Sequence, residues 1–217
     1  KKEEEKKKMY SFNNPNGITY NPNTSKYSVT FAGKTIETTV TDKGAVADEW
    51  VRNILSIHGN TPMVVVGLDI EWRPHEISWM SNKSATLQLC IDEKCLILQL
   101  FYVDEIPESL KDFLNGTNFT FVGIEVGDDV KKLKNEYGLN CCKIADICAI
   151  AKQRWPGRFR RPGLKDLALE IAGLNMKKPK HVCRSNWEAR ELSSDQVEYA
   201  CLDAYASYKI GNKLLLE

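Results

Sequence analysis

The spacing of apolar positions changes along the chain, and each change marks an element. Tyr27-Ser28-Val29-Thr30-Phe31 and Thr35-Ile36-Glu37-Thr38-Thr39-Val40 flank Ala32-Gly33-Lys34, a pattern that predicts strand, tight turn and strand. Residues 9–24, rich in Asn, Pro, Ser and Gly, read as irregular. From Ala45 to Ile57 the period becomes helical, with Val46, Trp50, Ile54 and Ile57 as the apolar stripe. Val64-Val65-Val66-Gly67-Leu68 is an unbroken apolar run, as expected of a strand covered on both faces. Residues 85–91 and 95–98 then predict a hairpin around Asp92-Glu93-Lys94.

A helix over about 107–114 leads to a strand at 119–124. Helices follow around 128–137, 146–152, 163–172 and 194–215. The last opens on a capping box, Ser193 with Gln196, and Leu192 faces Val197 as a hydrophobic staple. Three strands, a helix, a strand and then helices describe an α/β domain whose mixed sheet is flanked by helices. The expected organisation is a charged, disordered tail over 1–8, an extension with a β-hairpin over 9–44, and the main domain over 45–217.

Composition narrows the function classes. With 217 residues, 42% of them hydrophobic, the chain can bury a full core. No stretch is long and apolar enough to span a bilayer, so no membrane partner is expected. The seven cysteines form no C-x-x-C pair, and His58, His75 and His181 lie far apart. Neither a disulfide framework nor a zinc site is expected, and a reduced intracellular compartment, nucleus or cytoplasm, fits. Net charge is only +1, yet Lys152 to Arg184 holds ten basic residues against Asp166 and Glu170. Arg154, Trp155, Arg158, Arg160, Arg161 and Lys165 fall in or beside a turn-rich loop there. Such a loop suits gripping a phosphate backbone and stacking on bases beside an acidic centre. The competing expectation is a solvated basic loop with its two aromatics, Trp155 and Phe159, tucked into the core.

The acidic centre is foreshadowed where the apolar run ends in Asp69-Ile70-Glu71. Residues two apart on a strand share a face, so these carboxylates project side by side and repel unless a cation joins them. Oxygen ligands of this kind suit a hard divalent ion; a strand end facing water is the alternative. Asp129 stands in the first turn of a helix just after a strand, where α/β sheets place ligands. Asp128 is the more natural cap of that helix, which leaves Asp129 free. Tyr199 and Asp203, four apart, share one face of the last helix.

Asp69, Glu71, Asp129, Tyr199 and Asp203, in that order, resemble the DEDD superfamily of 3′–5′ exonucleases in its tyrosine-containing branch. Leu68-Asp69-Ile70-Glu71-Trp72 is similar to its first motif, the segment from Phe121 to Leu133 to its second, and Tyr199-Ala200-Cys201-Leu202-Asp203 to its third. Glu198 stands where the other branch carries histidine. Arg184-Ser185-Asn186-Trp187 adds a likeness to Werner-syndrome-type exonuclease domains, in plant-like form. The resemblance covers roughly residues 45–217. It implies a ribonuclease-H-like fold, a nucleic-acid partner with a free 3′ end, and two divalent ions, Mg2+ or Mn2+. Asp69, Glu71 and Asp203 would hold the ion that activates water. Asp69 would bridge to the second, supported by Asp129 through water, and Tyr199 would orient the attacking water. DNA is the favoured polymer. Ribonuclease D-like trimming of RNA, or a binding and scaffold module without turnover, are the alternatives, and self-association or a protein partner is left open.

Overall fold

A computed structural model describes residues 17–77 and 80–217. The charged tail over 1–8 lies outside them. Eight strands form one sheet: β1 (Gly17–Asn21), β2 (Lys26–Phe31), β3 (Lys34–Thr41), β4 (Val64–Glu71), β5 (Thr86–Ile91), β6 (Lys94–Leu98), β7 (Phe119–Gly123) and β8 (Ile144–Asp146). Their spatial order is β1-β2-β3-β6-β5-β4-β7-β8. Neighbours are antiparallel except β3 with β6, β4 with β7, and β7 with β8, which run parallel. Seven helices accompany them among the described residues: α1 (Gly44–His58), α2 (Glu108–Asn115), α3 (Val126–Tyr137), α4 (Ile147–Arg154), α5 (Leu164–Ala172), α6 (Lys180–Cys183) and α7 (Ser194–Leu215).

The sheet separates two apolar cores. One face packs against α1, α2 and α3, through Trp50, Ile54, Phe113 and Leu133. The other packs against α4, α5 and α7, through Ile147, Leu167, Ala204 and Ile210. Strand β4 shows the period of two directly: Val64, Val66, Leu68 and Ile70 enter the first core, and Val65 the second. By the same parity Gly67, Asp69 and Glu71 face α7. At Gly67 the helix comes so close that a Cβ would stand 1.9 Å from the Ala204 carbonyl oxygen and 2.7 Å from the Tyr208 nitrogen. Glycine is what lets backbone meet backbone there. Gly211 does the same on the helix side, where a Cβ would lie 2.6 Å from Val122 and 2.8 Å from Val65.

Several expectations needed correction. The expected hairpin forms as β2 and β3, and Gly17–Asn21, expected to be irregular, adds a third strand antiparallel to β2, making a meander. Through β3 and β6 the meander belongs to the same sheet as the rest. In α1 the buried residues are Ala47, Trp50, Val51 and Ile54, while Val46 and Ile57 are exposed. Trp50 and Ile54 lie in the expected stripe, with Ala47 and Val51 in place of Val46 and Ile57. Strand β8 and helix α6 were not anticipated. Helix α3 starts at Val126, two residues early, and its N-cap is Glu125 in the left-handed conformation (φ 52°), not Asp128. The Glu125 N–H donates instead to Asp146 Oδ2 at 2.8 Å, and Asp146 Oδ1 caps α4 by accepting from Ala149.

Candidate active site

Asp69, Glu71 and Asp203 each offer a carboxylate oxygen, and the three oxygens lie within 4.8 Å of one another. Strand parity and the Gly67–Ala204 contact explain the meeting. The strand delivers Asp69 two residues beyond the point where α7 touches it, and Asp203 precedes that touching residue. Asp203 is almost wholly buried, at 2% exposure. Asp69 and Glu71 keep part of their surface open.

The cluster is electrostatically costly as it stands. Burial, then the charges of Asp203 and Asp129, hold the Asp69 carboxyl well above the usual range. Burial, then Asp69 and Asp203, push Glu71 up to about 10. Asp129 is raised to about 7, by burial and then by Asp128 and Glu125. It stands outside the trio, near enough for its charge to act on Asp69. Burial also raises Asp203, against the opposing charge of Lys178.

Lys178 was missed in the sequence. Its Nζ donates to Asp203 Oδ2 at 2.6 Å and sits 5.2 Å from the centre of the Tyr199 ring. Burial pulls its pKa down, but Asp203, Asp69 and Glu71 outweigh that and leave it raised. The available signal was alternation: Leu174 and Met176 are buried while Asn175 and Lys177 are exposed, so the next inward position is Lys178. The other oxygen of Asp203, Oδ1, is buried and makes no hydrogen bond of normal geometry, while Lys178 and the nearby Tyr199 hydroxyl both hold the Asp203 carboxyl down against the effect of burial. A buried carboxylate oxygen without a partner is expensive unless a cation completes it. An all-oxygen donor set with such an orphan fits a hard divalent ion such as Mg2+ or Mn2+.

Tyr199 stands one turn before Asp203 on α7. Its phenol is pushed far above its ordinary value by burial and then by the Asp203 charge. Trp187 packs on it with ring centres 6.0 Å apart, and the indole N–H donates to the Cys183 carbonyl at 3.1 Å. The expected capping box is present: Ser193 accepts from the Gln196 N–H at 3.2 Å and Gln196 returns the bond at 3.0 Å. Gln196 Nε2 also donates to Ser185 Oγ at 2.9 Å, tying the segment before α7 to its first turn.

Arg154 of the basic loop is anchored away from this centre. Arg154 Nη1 donates to the Lys213 and Leu214 carbonyls, at the far end of α7. Ten residues of helix, about 15 Å at 1.5 Å per residue, separate those carbonyls from Asp203. Arg158 pairs with Glu170 at 2.7 Å. Phe159 is buried, and the half-buried Trp155 packs edge-on against it at 6.0 Å and sits beside Arg154 and Arg158. The aromatics thus serve the core, as the competing expectation had it. Arg160, Arg161 and Lys165 remain exposed.

Known proteins resemble the chain in sequence and in fold. A family model described as 3′–5′ exonuclease matches residues 42–217. A 3′–5′ exonuclease of Arabidopsis thaliana is 35% identical over 147 residues, covering 67% of this chain and 50% of that protein. The mouse bifunctional 3′–5′ exonuclease/ATP-dependent helicase WRN is 28% identical over 157 residues, 69% of this chain and 11% of that protein. The chain therefore spans half or less of the length of these two relatives. In fold it is similar to Escherichia coli RNase D, with a TM-score of 0.68 at 19% identity, over 82% of this chain and 44% of that one. No helix among the described residues is long and apolar enough to cross a membrane. The match from the end of β3 through α7 carries the carboxylate trio with it, and the chain belongs to the 3′–5′ exonuclease family.

Proposed function

We propose that the chain hydrolyses phosphodiester bonds one nucleotide at a time from the 3′ end of a nucleic acid, releasing 5′-mononucleotides. The observation that carries this reading is the trio Asp69, Glu71 and Asp203 with its orphaned Asp203 Oδ1. Divalent ions bound there supply charge neutralisation at the phosphate and a water of lowered pKa.

The residues divide the remaining work. Asp69, Glu71 and Asp203 would hold a divalent ion, and Asp129, at the start of α3, would add its charge beside Asp69. Tyr199 stays protonated at neutral pH, since burial raises its pKa, so it orients the water by hydrogen bond rather than taking its proton. Trp187 fixes the tyrosine ring against the helix. Arg160, Arg161 and Lys165, exposed beyond the anchored Arg154, are proposed to touch only strands long enough to reach beyond the cleft.

Incubating 5′-labelled single strands of DNA and of RNA in parallel with Mn2+ tests the reading. A ladder shortening from the 3′ end supports it, and the faster ladder names the preferred sugar. Internal cuts, or a ladder whose label is released first, would refute it.

A further inference from the structure

We propose that Lys178 is a resident counter-cation of the carboxylate trio, so that a divalent ion loads in competition with its ammonium. The inference rests on the metal site proposed above and concerns how that site fills.

Asp203 divides its two oxygens. Oδ2 is taken by the Lys178 ammonium at 2.6 Å, and Oδ1 is buried with no partner. The lysine therefore holds one oxygen of a carboxylate that stands in the trio with Asp69 and Glu71. Its charge also acts on both of those residues. Once all three carboxylates are ionised, as metal binding requires, they and the ammonium sum to −2, which a single divalent ion neutralises. The same ammonium opposes that ion, since two cations a few ångströms apart in a partly buried site repel strongly. It also occupies an oxygen the ion would otherwise use. Both effects weaken metal binding; removing the charge ends the repulsion, and removing the donor as well frees the oxygen. Lys178 keeps a side-chain exposure of 30%. That opening gives the ammonium room to move away as the ion enters. Among the described residues it is the ammonium paired with Asp203, and the rest of the lysine-rich stretch, Lys177 and Lys180, is exposed.

A calorimetric titration of Mn2+ into the full chain tests this, with melting curves in EDTA and in Mn2+. Lys178→Gln keeps a hydrogen-bond donor to Asp203 but removes the charge. Lys178→Met removes both, and Lys178→Arg keeps both. The Gln and Met variants are expected to bind Mn2+ about tenfold more tightly or better. They should melt lower in EDTA and gain more from Mn2+ than the wild type. The Arg variant should stay near the wild type. A lysine that merely packs would leave metal affinity unchanged. Equal or weaker Mn2+ binding by folded Lys178→Gln would overturn the exchange while leaving the metal site standing. No saturable Mn2+ binding by the wild type would overturn both.

Discussion

Replacing Gly67 with alanine should cripple the site without touching a single functional side chain. The added Cβ would stand 1.9 Å from the Ala204 carbonyl oxygen and 2.7 Å from the Tyr208 nitrogen. Both neighbours are backbone in the middle of a 22-residue helix, so no side chain can swing away to make room. Ordinary contact needs roughly 3.5 Å, so α7 must retreat from β4 by about 1.5 Å at that point. The retreating helix carries Asp203 and Tyr199, whereas Asp69 and Glu71 stay on the strand. A misplacement of about 1 Å costs on the order of a hundredfold in rate when groups must act together. Overpacking of this kind costs about 1–3 kcal/mol, which a domain of this size survives. The expected outcome for Gly67→Ala is thus a folded protein, melting several degrees lower, with 3′-end trimming reduced about a hundredfold or more and Mn2+ binding weakened. Gly17→Ala is the control: its Cβ meets nothing within 4 Å, and it should change neither quantity. Circular dichroism establishes the fold and product ladders give the rate. Wild-type trimming by Gly67→Ala would refute the claim that this backbone contact sets the spacing of the trio.

The remaining predictions concern charge and anchoring. In metal-free protein, Asp129 is raised to about 7 and Glu71 to about 10, so the folded state holds protons that the unfolded state releases. Stability should therefore fall as pH rises from about 5 towards 9, and Mn2+ should cancel the fall; a melting temperature in EDTA that stays flat or climbs over that range contradicts this. Arg154→Ala removes two hydrogen bonds to the end of α7 and should cost about 1–2 kcal/mol in urea unfolding, with the rate on a short oligonucleotide unchanged. Loss of that short-strand activity would place the loop at the cleft after all. Neutralising Arg160, Arg161 and Lys165 together should flatten the salt dependence of binding for long strands only. Filter binding across salt concentrations reads this, and an equal effect on the shortest strands would contradict it.

What the sequence revealed and what it hid follow from the range of the interactions involved. The period of two in β4 and the four-residue spacing of Tyr199 and Asp203 are local, and they predicted which faces would meet. The capping box at Ser193 is equally local and formed as written. Strand β1 escaped notice because it is a short, mostly exposed edge strand whose Ile18-Thr19-Tyr20 alternation is brief and set among turn-forming residues. In α1, the true stripe of Ala47, Trp50, Val51 and Ile54 runs beside the exposed Val46 and Ile57, so apolar content alone put those two on the buried face. Lys178 was hidden among neighbouring lysines, because its role depends on a partner 25 residues away. The basic loop looked like part of the cleft because charge counts carry no direction. The Arg154 bonds to Lys213 and Leu214 show that the start of the loop is anchored at the other end of α7.

The central claim is that β4 and α7 together build a metal site that cuts 3′ ends. Its most direct test is the Mn2+ dependence of 3′-end trimming by the wild type, Asp69→Ala and Asp203→Ala, each shown to be folded. Trimming that rises with Mn2+ in the wild type and is abolished in both variants is the predicted result. Undiminished trimming by the variants, or trimming by the wild type in excess EDTA, would contradict the claim.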